Sequence, residues 1–161
     1  MPQPRATILK ARLAFVRRDF DEVLGRIDQS MLDWAPAEGM RTIGGQLVEV
    51  LITEMQIIAN LREGKRISDH EAKVLVGDCD SLDHLRESLI AVRKDTLSYL
   101  DSFSEAELAE EISFDGGWMA SLRLPTIPRA EIFVNIAGHE WYHTGQLTSY
   151  LWARGDRPYD W

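Results

Sequence analysis

The chain has 161 residues, 45% of them hydrophobic and 27% charged, with a formal net charge of −8. That is enough for one domain burying roughly 70% of its unfolded surface, it is too rich in apolar residues for a disordered tail, and it needs no staple in order to fold. The negative balance opposes nucleic-acid phosphates and anionic membrane surfaces, and no run approaches the ~18 apolar residues of a membrane span.

The expectation is therefore a single domain over residues 1–161 with no nucleic-acid partner and no membrane partner. The opening residues Met1-Pro2-Gln3-Pro4-Arg5 hold no apolar leader core, so the simplest placement is cytoplasmic. One cysteine, Cys79, rules out an internal disulfide and a cysteine-built zinc site. Its neighbours Asp78 and Asp80 raise a thiol pKa, which argues against a reactive nucleophile.

The first predicted helix runs from about Ala6 to Met31, where Leu9, Leu13, Val16, Phe20, Val23 and Ile27 form one apolar seam. A basic cluster on it, Lys10, Arg12, Arg17 and Arg18, is followed at once by Asp19, Asp21 and Glu22 and reads as a solvated face. Pro36 and Gly39 break the chain, and Thr42 is placed to cap a second helix over 43–62, with a core stripe of Leu47, Leu51, Met55 and Ile58. Gly64 follows as its stop. The polar stretch after it holds a short helical turn near 69–76. Ser81 caps a third long helix reaching about Phe103 through Leu82, Leu85, Leu89, Val92, Leu97 and Leu100. A short turn over 104–108 comes next, then a hairpin-like loop over 112–119 marked by Asp115-Gly116-Gly117. A fourth long helix spans about Arg129 to Arg154, ended by Gly155 and Pro158. Four amphipathic rods, each roughly 30–38 Å long at 1.5 Å per residue, predict an all-α four-helix bundle.

The chemistry concentrates in Gly138-His139-Glu140-Trp141-Tyr142-His143-Thr144-Gly145-Gln146. Histidines at i and i+4 stand one turn apart on one helical face, where two imidazoles converge on one cation. These are two of only four histidines, and they lie in a largely apolar helix whose same face continues in Asn135, Gln146 and Tyr150. Two ligands hold a metal poorly, so a third is expected from another helix. Glu49 interrupts an apolar run and shares a face with Thr53, Gln56 and Asn60. Glu54 falls in the apolar stripe, where a carboxylate requires an arginine or a buried hydroxyl. Both are open as third ligand, with Glu49 preferred. The ligands must be deprotonated, so affinity is expected to fall as pH drops through the ordinary histidine range near 6.5.

His139-Glu140-x-x-His143-Thr144-Gly145-Gln146 resembles the H-x-x-x-H-x-G-Q signature of the DinB/YfiT-like metalloenzymes. Thr42-Ile43-Gly44 at the start of the second helix and Tyr150-Leu151 with Gly155 and Pro158 at the end are similar to the same family, in order and spacing along nearly the whole chain. The resemblance implies an up-down-down-up four-helix bundle, often a homodimer, holding a divalent metal through three histidines. His139 and His143 match two of them. Glu49 stands at the third position and Glu54 matches a frequent family glutamate. A metal set of Glu49, His139 and His143 follows, for Zn²⁺ or Ni²⁺ first, with Mn²⁺ or Fe²⁺ also admitted by the carboxylate.

The function implied is a metal-dependent transferase or isomerase whose small-molecule substrate chemistry uses a low-molecular-weight thiol, with Gln146 or Tyr142 orienting substrate or ligand. Two alternatives stand beside it: a metal-dependent hydrolase with Glu54 or Glu140 as general base, and a non-enzymatic stress-related bundle whose metal site has decayed at Glu49. Five tryptophans, with Trp118, Trp152 and Trp161 as candidate contacts, add to the expectation of a homodimer.

Overall fold

The structure is a computed structural model that describes residues 3–114 and 122–161. Its helices are α1 (Arg5–Gly25), α2 (Ile43–Glu63), α3 (Asp69–Val76), α4 (Leu82–Asp101), α5 (Glu105–Ala109) and α6 (Ala130–Ala153). Two-residue strands β1 (Glu111–Ile112) and β2 (Ile127–Pro128) pair antiparallel, Ile112 opposite Ile127. The predicted Asp115-Gly116-Gly117 turn and Trp118 lie outside the described residues.

Local chemistry sets the ends. The Thr42 side chain accepts from the Gly45 amide, and Gly64 closes α2 in the left-handed region at φ 63°. Ser68 with Glu71, and Ser104 with Glu107, form full capping boxes that start α3 and α5. The first helix is shorter than its periodicity predicts. It ends at Gly25, a poor helix former, and Asp28 then captures the Ser30 amide to start a separate 3-10 turn over Gln29–Met31. The α4 helix likewise stops at Asp101, two residues before the predicted end.

α1, α2, α4 and α6 form the bundle, and their contacts give its path. Arg17 meets Glu140 and Arg26 meets Asp156, so α1 and α6 run parallel. Glu54 meets Arg93 and Leu61 meets Tyr99, so α2 and α4 run parallel. Lys10 meets Asp101 while Arg17 reaches the Leu89 carbonyl, which makes α1 and α4 antiparallel. The order is up-down-down-up, and α3 lies in the long crossover that parallel α2 and α4 require.

The apolar seam is buried from Leu9 to Val23 along α1 and on through Ile27 just past its end. The core it enters is divided in two. One cluster gathers Phe20, Leu47, Leu51, Leu85 and Leu151; the other gathers Leu13, Ile58, Leu100, Phe133 and Ile136. Between them lies a layer of four charges, one from each long helix: Arg17, Glu54, Arg93 and Glu140.

Arg93 is 6% exposed; its Nε and Nη2 donate to Glu54 at 2.8 and 2.9 Å, and Nη2 donates to Glu140 at 2.8 Å. Its Nη1 donates to the Leu13 carbonyl at 3.1 Å. Arg17 donates to Glu140 at 2.7 Å and to the Leu89 carbonyl at 3.1 Å. Two cations thus balance two anions with their hydrogen-bonding groups engaged, the condition under which buried charge is tolerated.

Three sequence expectations change here. Arg17 belongs to this layer and not to a solvated basic face, because Glu140 on α6 draws it inward. Glu54, not Met55, continues the α2 stripe, and Met55 is only half-buried. Arg93 and Thr96 take buried places on α4, while Val92 and Leu97 pack from its flank.

Trp161, expected as a contact between copies, packs within its own chain. Its ring faces the Arg26 guanidinium at 4.2 Å and its Nε1 donates to Asp156.

Candidate metal centre

α6 carries His139 and His143 on the face turned toward α2, and α2 carries Glu49 opposite them. One donor atom from each of the three lies within 4.8 Å of the others. The two imidazole Nε2 atoms are 3.1 Å apart. Two nitrogens each about 2.1 Å from a common ion stand roughly 2.9–3.4 Å apart at octahedral to tetrahedral angles, so this separation suits a shared cation.

The ring of His143 is held in one tautomer. Its Nδ1 meets the Oε1 of Gln46, and an amide oxygen only accepts, so Nδ1 carries the proton. Nε2 is left with its lone pair toward His139. Gln46 is itself steadied by its Nε2 donating to the Tyr150 hydroxyl at 3.2 Å. This is the arrangement in which an outer amide fixes a ligand imidazole. Gln46 is a site residue that the sequence reading missed. The available signal was a polar side chain one turn before Glu49 in an apolar run.

Both imidazoles are disposed to stay neutral. Burial pushes the His139 pKa down to about 4; Arg41 adds to this and Glu54 opposes it. Burial also takes His143 down to about 4, with the charge of His139 next in effect, Glu49 opposing and Arg41 adding. Neutral nitrogen lone pairs with one carboxylate match the His₂Glu donor set of zinc sites, so the residues fit a divalent metal.

The pH dependence expected from sequence is revised accordingly. A proton on either Nε2 blocks a ligand. Groups with pKa values near 4 take up protons only as pH falls toward 4. Affinity for Zn²⁺, measured by competition with a chromophoric chelator, should therefore change little between pH 7 and 6 on account of these residues and drop steeply below about 5. A loss centred near 6.5 would show that the imidazoles titrate as exposed ones do.

The other candidates are either engaged by arginines or line the cleft beside this centre. Glu54 is 4% exposed and bound to Arg93 through both oxygens. Glu140, although next to His139 in sequence, is 1% exposed and held by Arg17 and Arg93. Tyr142 and Gln146 line a cleft of about 480 Å³ together with Glu49, both histidines and Arg41. On the other side, Glu49 and His139 border a second cleft of about 780 Å³ with Thr53, Gln56, Asn60 and Phe114. The polar α2 face seen in the sequence is the wall of that cleft.

Arg41 is the second residue that the sequence reading missed. Its Nη1 lies 3.0 Å from Glu49 Oε2. It precedes the α2 cap, where no periodicity marks it. Cys79 stands apart from this chemistry: burial raises its thiol pKa, Asp80 and Asp78 add to that, and Lys73 opposes.

Comparison with known proteins bears on the family and the fold. A family model described as the DinB superfamily matches residues 12–147. No curated protein gives a significant match. Among solved structures, the chain is similar to a conserved protein from Enterococcus faecalis, with a TM-score of 0.56 and 19% identity over 95% of this chain and 96% of that one. At that identity the likeness bears on the fold alone. Among the described residues, no helix is long and apolar enough to cross a membrane.

Proposed function

The chain belongs to the DinB superfamily, and from that membership and the site geometry we propose that it binds a divalent metal ion through Glu49, His139 and His143. The observation that carries the proposal is the convergence of those three donors with a tautomer-fixing partner behind His143. Zinc and nickel suit the imidazoles; the carboxylate also admits Mn²⁺ or Fe²⁺.

The reading extends to a transferase or isomerase that uses a low-molecular-weight thiol. A divalent metal lowers the pKa of a thiol bound to it and so supplies a nucleophile at neutral pH. The chain's own contributions are to hold the His143 tautomer through Gln46, to keep both imidazoles neutral by burial, and to offer a cleft of about 480 Å³ rimmed by the exposed Tyr142. The hydrolase alternative is disfavoured by one observation: both of its candidate bases, Glu54 and Glu140, are engaged by buried guanidinium groups. A homodimer belongs to the same proposal, supported by the half-exposed Trp141 and Trp152 on α6. Light scattering would read twice 18.4 kDa for the dimer and 18.4 kDa against it.

The test of thiol chemistry is spectroscopic. Protein loaded with Co²⁺ should develop a thiolate-to-metal charge-transfer band when titrated with 2-mercaptoethanol. Absence of the band, with cleavage of simple esters by the same protein, would return the hydrolase reading to first place.

A further inference from the structure

We propose that Arg41 is the anion-binding group of this site, and that the ligand it selects is a small molecule bound to the metal at one end and carrying a carboxylate at the other. The inference rests on the metal reading above and goes beyond it in naming the ligand's second functional group.

Position is the first argument. Among the described residues lining the cleft with His139 and His143, Arg41 is the one lysine or arginine and so the one cationic side chain beside the neutral imidazoles. Its side chain is 46% exposed, so solvent reaches it, and its Nη1 lies 3.0 Å from Glu49 Oε2. A guanidinium carries five N–H donors in a planar fork. One edge can stay on Glu49 while the other meets a second carboxylate.

The placement is also built into the backbone. The Arg41 stem lies across the first turn of α2, over Gly45. A Cβ at residue 45 would come within 2.7 Å of Arg41 Cγ and 3.4 Å of its Cδ. Only glycine leaves room for the stem to lie there. A glycine in the first turn costs helix stability, about 1 kcal/mol relative to alanine in a helix interior. Here it clears the path by which the guanidinium reaches Glu49, one turn farther along the same face.

Charge supplies the third argument. A divalent ion with one carboxylate and two neutral imidazoles leaves a net charge of about +1, and Arg41 adds another. A ligand bearing one thiolate and one carboxylate would cancel both. A neutral thiol such as 2-mercaptoethanol, bound as thiolate, would cancel only the first.

The experiment compares two probes on the full Co²⁺-loaded chain, 2-mercaptoacetate and 2-mercaptoethanol, through the charge-transfer band. The quantity read is the ratio of their dissociation constants in each variant, which removes intrinsic differences between the thiols. Wild-type protein should prefer mercaptoacetate, and Arg41→Gln should reduce that preference by about tenfold or more, the loss of one charge-assisted bidentate contact. Gly45→Ala keeps the charge but displaces the stem, so it too should lose much of the preference. An unchanged ratio in Arg41→Gln overturns the proposal. Full preference retained in Gly45→Ala also overturns it, because a diffuse effect of charge would then suffice. If neither thiol gives a band in wild-type protein, the thiol reading falls and this inference with it. If both give bands and the ratio ignores Arg41, this inference alone falls.

Discussion

Arg93→Ala should cost about 3–5 kcal/mol of stability, a large part of the 5–15 kcal/mol that holds a typical domain folded. The cause is not the lost attraction alone. Arg93 donates to Glu54 twice, to Glu140 once and to the Leu13 carbonyl. Without it, two carboxylates that are 4% and 1% exposed share Arg17, whose Nη2 stands 3.6 Å from Glu54. One anion is left buried without full compensation. Urea unfolding followed by circular dichroism measures the effect. Arg62→Ala is the control: its partner Asp95 is 53% exposed, and the loss there should stay below about 1 kcal/mol. Equal midpoints for the two variants would contradict the assignment of the charged layer as a structural element of the bundle.

That layer also marks where the sequence stops being informative. The first seam was legible because six apolar residues at helical spacing report their own burial, and all six are buried, five on α1 and Ile27 just past its end. The histidine pair was legible because its geometry is internal to one helix. Arg17, Glu54, Arg93 and Glu140 come from four helices separated by up to 123 residues of sequence. Each is one polar residue among several in its own helix, and its environment exists only once the other three arrive. Arg93 beside Lys94 looks like any wet helix face. Glu54 was the exception, since a carboxylate within an apolar stripe demands a cation. Gln46 and Arg41 were missed for a different reason: Gln46, one turn before Glu49, carries a signal that reads as a ligand's partner only once His143 is seen against it, and Arg41 precedes the cap, where no periodicity marks it.

Glu49→Gln should lower affinity for Zn²⁺ by more than the ~100-fold that outer partners typically contribute, while leaving helix content unchanged. The variant keeps the side-chain shape but removes the anionic donor, and Glu49 is partly exposed at 27%, so the fold does not depend on it. Gln46→Leu should act through His143, whose tautomer it frees, with a loss of about 10- to 100-fold. Glu54→Gln should do the reverse of Glu49→Gln: it breaks the pair with Arg93 and lowers stability, with little direct effect on the metal. Glu49→His should raise affinity for Ni²⁺ and Zn²⁺ over harder ions. Competition titrations of each variant, with urea midpoints alongside, separate these outcomes. A larger loss of zinc affinity in a still-folded Glu54→Gln protein than in Glu49→Gln would mean that the other carboxylate is the ligand.

The most direct measurement is the metal content of the wild-type protein, by elemental analysis after expression with added zinc and nickel and exhaustive dialysis. Three donors within 4.8 Å of one another, with two neutral imidazoles among them, predict about one equivalent of divalent metal per chain, lost in His143→Ala. Less than about a tenth of an equivalent in folded wild-type protein would contradict the metal centre and leave a bundle whose histidine pair serves some other purpose.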